Sequence, residues 1–198
     1  MVKEVQTTSK TIEFSYKFED LFNNCSTKIS YKSRNVVQDD MVVEQITLMD
    51  DDKQVFRANM PSILADIYER VMKLSSGVTN AFKHVEAVEA VEGSPAVGTP
   101  GADGYVPEVK PVEGVEEHME IIIQNNAAYN SNLLGLIDSS LYNCIETGSI
   151  KAWYEVCGMT ALEQEYTTKY LAALAELSRR MFQLKKKTIK STLGTSAS

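Results

Sequence analysis

From Thr11 to Phe18 polar and apolar residues alternate. Ile12, Phe14, Tyr16 and Phe18 take the even positions, and Thr11, Glu13, Ser15 and Lys17 the odd ones. A period of two sets one face of a strand on a core and the other in water, so a strand is predicted here. Ile29 and Tyr31 alternate with Lys28, Ser30 and Lys32 and predict a second short strand. Residues 41–49 are rich in Val, Ile and Thr. They run into Asp50-Asp51-Asp52-Lys53 and then Gln54-Val55-Phe56-Arg57, the pattern of a hairpin with an acidic turn. Residues 1–58 are therefore expected to form a β-rich segment of three or four antiparallel strands.

At Asn59 the period changes. Asn59 is a candidate helix cap with Pro61 in the first turn, where its missing N–H costs nothing. Ile63, Leu64, Ile67, Tyr68, Val71 and Leu74 follow at helical spacing, up to Ser75-Ser76-Gly77, with a further turn through Phe82. Met119 to Ile123 is apolar and fits either a strand end or a helix start. Leu133, Leu134, Ile137, Leu141, Tyr142 and Ile145 mark a helix over 124–146, broken at Thr147-Gly148-Ser149. Ser149 would cap a short helix through Trp153 and Val156, which Gly158 ends. Thr160-Ala161-Leu162-Glu163 is a capping box. The helix it opens carries Leu162, Tyr166, Tyr170, Ala173, Leu174, Leu177, Met181 and Leu184 and is expected to reach about Lys187. The predicted fold is α+β: the β segment, then a helical bundle over 59–198 with a long last helix and a mobile tail at 188–198.

Composition changes this picture in one place. Residues 84–120 hold nine acidic residues against Lys110 alone, a charge of −8 in a chain of −7, which leaves +1 for everything else. They also hold Pro95, Pro100, Pro107 and Pro111. Val85, Val88 and Val91 precede a glycine-rich centre, and Val106, Val109, Val112 and Val115 follow it. The segment is predicted to form two extended arms around a loose tip, or else a disordered loop. Its valines and glutamates suit an arm that adds strands to an exposed edge of a neighbouring subunit, and Tyr105, Val106, Val109, Val112 and Val115 are the candidate contact residues.

The 198 residues and 22.0 kDa suit one domain with an appendage. An acidic chain does not fit a protein that coats nucleic acid. No stretch approaches the roughly 20 apolar residues of a membrane span, and Met1 to Gln6 lacks a signal-peptide core. Cys25, Cys144 and Cys157 are odd in number and widely spaced, which fits buried reduced thiols better than disulfides. A Cys nucleophile would need His84 or His118, both flanking the acidic segment. No short paired spacing points to zinc. Asp50-Asp51-Asp52 fails as a calcium loop, because Val55 and Pro61 stand where Gly and Glu are required. Gly98 to Gly104 lacks the spacing of a phosphate loop. No catalytic, cofactor or metal set assembles, so the chain is read as a non-enzyme. Arg179, Arg180, Lys185, Lys186 and Lys187 crowd the end of the last helix. There they complement its dipole, or else contact an acidic partner or DNA phosphates.

The helices near 60–83, 124–146 and 160–187 and the arm at 84–120 together resemble structural proteins of tailed-phage virions. The likeness is to head–tail connector (adaptor or ring) proteins, with the crAss-like phages a candidate group. The resemblance implies a homo-oligomeric ring, of twelve copies to match a portal, contact with the portal and other connector or tail proteins, passage of DNA without sequence-specific contact, and a place in the virion. A reading from another class is a small cytoplasmic, phage-encoded protein that engages a host partner through the acidic segment.

Overall fold

A computed structural model describes residues 2–6, 10–37, 39–72, 78–97, 100, 106–107, 109–125 and 131–184. Among them four strands form one antiparallel sheet in the order β1-β2-β4-β3: β1 (Val2–Gln6), β2 (Lys10–Lys17), β3 (Val78–Val85) and β4 (His118–Asn125). The alternation seen in the sequence decides which face is buried. Ile12, Phe14 and Tyr16 of β2 and Met119, Ile121 and Ile123 of β4 enter the core, while Glu13 and Ser15 do not.

Five helices pack on that face: α1 (Phe18–Val36), α2 (Asp40–Ile46), α3 (Lys53–Ile67), α4 (Leu134–Val156) and α5 (Thr160–Leu184). One hydrophobic cluster joins the sheet to α1, α3, α4 and α5, so residues before and after Asn59 share a single core. The mixed α+β class expected from the sequence holds, and α5 is its longest helix at 25 residues.

Residues 18–58 are the main correction. They are helical, and neither the 29–31 strand nor the 41–57 hairpin forms. In α1 the buried residues are Phe18, Leu21, Phe22, Cys25, Ile29 and Ser33, a spacing of three and four that outweighs the short local alternation. Tyr31, which that alternation would set on the same face as Ile29, is 74% exposed. Asp39 caps α2 by accepting from Met41 N at 2.9 Å. The acidic run is a helix start, not a hairpin turn. Asp50–Asp52 forms a 3-10 turn leading into α3, with Asp52 Oδ2 accepting from Met49 N at 2.9 Å. Carboxylates suit that end of a helix because its free N–H groups carry partial positive charge.

Helix α3 accordingly begins at Lys53, and Pro61 lies inside it on the exposed side. A π-helical turn, Tyr68–Met72, follows. Beyond it Phe82 belongs to β3, not to a further helical turn. Ser75, Ser76 and Gly77 lie outside the described residues. Residues 119–123 are strand, and α4 starts later than expected, at Leu134.

The expected break at Thr147-Gly148-Ser149 is absent, and α4 runs through it. A Cβ on Gly148 would stand 2.9 Å from Ile63 Cγ2 and 3.0 Å from Tyr170 Cε2, so the glycine serves close packing of α3, α4 and α5. Its neighbours hide their hydroxyls in the helix itself: Thr147 donates to Asn143 O at 2.6 Å and Ser149 to Ile145 O at 2.7 Å. Gly158, at φ 67°, makes the turn from α4 to α5 as expected.

Candidate functional site

Strands β3 and β4 pair from Val78 with Asn125 to Val85 with His118. The two chains then continue outward without changing register. Val88 pairs with Val115, Val91 with Val112, Ser94 with Val109, and Val97 with Val106. The insertion therefore prolongs a β-hairpin and does not simply link two helices. At about 3.1 Å per residue, Val97 stands roughly 37 Å beyond Val85.

The pairing beyond Val85 has a period of three. Each pair exchanges two backbone hydrogen bonds, for example Val91 N to Val112 O and Val112 N to Val91 O, both 3.0 Å. A β-ladder repeats every two residues, whereas an extended polyproline II chain repeats every three. The sequence obeys the three-residue rule. Pro95, Pro107 and Pro111 all avoid the paired positions, which must donate an N–H. Where the two chains approach closely, small residues are required. A Cβ on Gly93 would lie 2.6 Å from Pro111 Cδ, and one on Gly114 3.2 Å from the Cβ of Ala90. The expected arm is thus present and paired, but its period does not suit addition to a flat sheet edge, which needs outward groups at every second residue.

Seven valines of the arm remain 37–61% exposed: Val88, Val91, Val97, Val106, Val109, Val112 and Val115. Of the residues singled out by sequence, Val106, Val109, Val112 and Val115 lie here on one of the two chains. Tyr105 lies outside the described residues. Glutamates take the middle of the triplets, as Glu86, Glu89 and Glu92 on one chain and Glu113 and Glu116 on the other, and all are exposed.

The root of the arm is clamped by residues that the sequence reading did not single out as a group. Arg57 of α3 holds Glu117 with two hydrogen bonds of 2.7 Å, and His84 Nε2 lies 2.9 Å from Glu117 Oε1. Burial would raise the Glu117 carboxyl, but the Arg57 and His84 contacts outweigh it and hold the group below the usual carboxylate range. Arg57 also lies over the Phe18 ring at 4.6 Å, and Phe18 N donates to Glu117 O at 3.0 Å. Lys17 pairs with Glu116 on the same side. Sheet, α1 and α3 thus all grip one short stretch of the arm. Arg57 and Glu117 are 60 positions apart, which is why no local pattern pointed to them.

Other candidates resolve differently. Burial pushes the Cys144 thiol up to about 12 and raises those of Cys25 and Cys157, so all three hold their protons at neutral pH. Arg179 and Arg180 are tied to Glu176 of their own helix, at 2.8 and 2.6 Å. Lys185, Lys186 and Lys187 lie outside the described residues, as does the tail 188–198. The Tyr and Leu stripe of α5 faces the core, with Leu171 and Phe182 left exposed on the outer side. An open cleft of about 910 Å³ lies between β2, α1 and α4 beside the arm root. Four of its lining residues pair with one another: Tyr16 OH donates to Asp138 Oδ1 at 2.7 Å, and Asn24 Nδ2 donates to Tyr142 OH at 2.6 Å. No helix of the described residues is long and apolar enough to cross a membrane. Comparison with protein-family models, curated proteins and solved structures finds no match to this chain.

Proposed function

We propose that this chain is a structural subunit that assembles with its own kind through the arm, and that the assembly is a ring in the head–tail connector of a tailed phage. The observation that carries the reading is the arm itself. It is a two-chain ribbon held only by one reciprocal pair of hydrogen bonds in every three residues, with seven valines left in water. An isolated two-stranded ribbon is marginal in water, and exposed apolar rows of this kind mark contact surfaces. The clamp at Glu117 supports the same reading, because it sets the direction in which the ribbon leaves the body. A closed ring needs two different patches per subunit, one to give and one to receive. The arm supplies the first.

The structure offers a clean deletion. Val88 and Val115 are direct partners, so an Asn-Gly turn can replace residues 89–114 and close a hairpin while the Glu116 and Glu117 contacts at the root stay in place. Light scattering behind a sizing column then compares this variant with the full chain. The expected result is a discrete oligomer for the full chain and a folded monomer for the variant. Equal oligomers from both would overturn the reading. If the full chain is itself monomeric, the arm's acidity favours the other class of function, capture of a host partner, and a pull-down with and without residues 89–114 decides it.

A further inference from the structure

The exposed faces of the arm define what can cover them. The backbone groups that the internal pairing leaves over repeat with a period of three, so the occupant is an extended chain of matching period and not a β-strand. The glutamates at the triplet centres call for cations, and Glu86, Glu89 and Glu92 stand about 9 Å apart along one chain at that rise. The half-exposed valines call for some apolar contact as well. One stretch of this sequence has that chemistry. Lys185, Lys186, Lys187 and Lys190 lie within six positions, with no acidic residue after Glu176, and Lys187 and Lys190 are three apart with Ile189 between them. The stretch directly follows α5, and the described part of α5 ends at Leu184.

We infer that the arm receives residues Lys185–Lys190 of a second copy of this chain, laid along it as a third extended chain. The inference rests on the proposed role of the arm and names its partner. The contact runs head to tail: each copy gives a basic segment to one neighbour and an arm to the other, the arrangement a ring requires. Opposite charges set its register and make it loosen with salt.

Three proteins test it: the full chain, the variant with Asn-Gly for 89–114, and a variant with Lys185, Lys186, Lys187 and Lys190 all changed to Gln. Neither variant should self-associate. Mixed in equal amounts they should form a one-to-one dimer and stop there, because only one intact arm and one intact basic segment remain. Raising salt from roughly 0.05 to 0.5 M should weaken that dimer at least tenfold. A second arm of the experiment changes Glu86, Glu89 and Glu92 to Lys together with the four lysines to Glu, and this double reversal should restore assembly that either reversal alone abolishes. If the Gln variant assembles like the full chain, the basic segment is not the occupant, while the arm's role stands. If the Asn-Gly variant does so, both ideas fall. A mixture that stays monomeric, or a reversal without rescue, overturns the inference.

Discussion

Gly148 shows how much one residue can decide. It looks like a helix breaker in sequence, yet it sits inside α4 where Ile63 and Tyr170 leave no room for a methyl group. Gly148→Ala should cost about 1–3 kcal/mol through overpacking, offset by at most about 1 kcal/mol of helix propensity. Gly135 is the control. A Cβ there would meet nothing within 4 Å, so Gly135→Ala should stabilise by up to about 1 kcal/mol. Thermal unfolding of the two variants should therefore shift in opposite directions, and a shared direction would show that the helices separate freely. Glu117 makes a second prediction at this scale. Its carboxyl is held below the usual range, so its contribution is present above the unfolded value of about 4.3 and is lost as pH falls through the lower folded value. The protection of the Phe18 amide, whose N–H is bonded to Glu117 O, relative to its intrinsic exchange rate should fall in that acid window. Glu117→Gln, lacking the charge, should show no such step.

The arm is the element whose physics differs most from its surroundings. Its pairing predicts an exchange pattern that no β-ladder has. The amides of Val88, Val91, Ser94, Val97, Val106, Val109, Val112 and Val115 should be slower than their neighbours, one in every three. A period of two in that profile would refute the three-residue pairing. Proline scanning gives an independent check. Val112→Pro removes a paired donor and should release the arm, whereas Glu113→Pro, at an unpaired position, should leave its neighbours' protection largely unchanged. Local alternation failed as a guide where helices were concerned. Lys28 to Lys32 alternate in sequence, but a five-residue window cannot report that Phe18, Leu21, Phe22, Cys25 and Ile29 share one helix face. Tertiary burial of a longer stripe outweighs a short local preference.

At the scale of the whole molecule, body and arm are separable in energy. The core joins the sheet and five helices, and no described residue of 86–117 belongs to it. Replacing residues 89–114 by a turn, which spares the Glu117 clamp, should therefore leave the melting temperature of the monomer within a few degrees, measured under conditions where the full chain is not assembled. A fall of 10 °C or more would mean that the arm helps to hold the body. The charge distribution follows the same division, with the net negative charge on the arm segment and the densest positive charge just after α5. A chain arranged in this way favours contact between copies in one orientation and disfavours arm against arm.

By itself the sequence determined the β2 strand, the inward stripe of α5, the turn at Gly158, and the existence, extent and charge of the arm. Each of these is written in residues close together in the chain: an alternation, a spacing of three and four, a glycine after a helix, a run of triplets. Tertiary structure alone decided that residues 18–58 are helical, that Thr147-Gly148-Ser149 continues a helix, and that the arm grows from a hairpin instead of linking helices. It also placed Arg57 and His84 on Glu117. Those outcomes depend on partners dozens of positions away, where burial and ion pairing outweigh what neighbouring residues prefer.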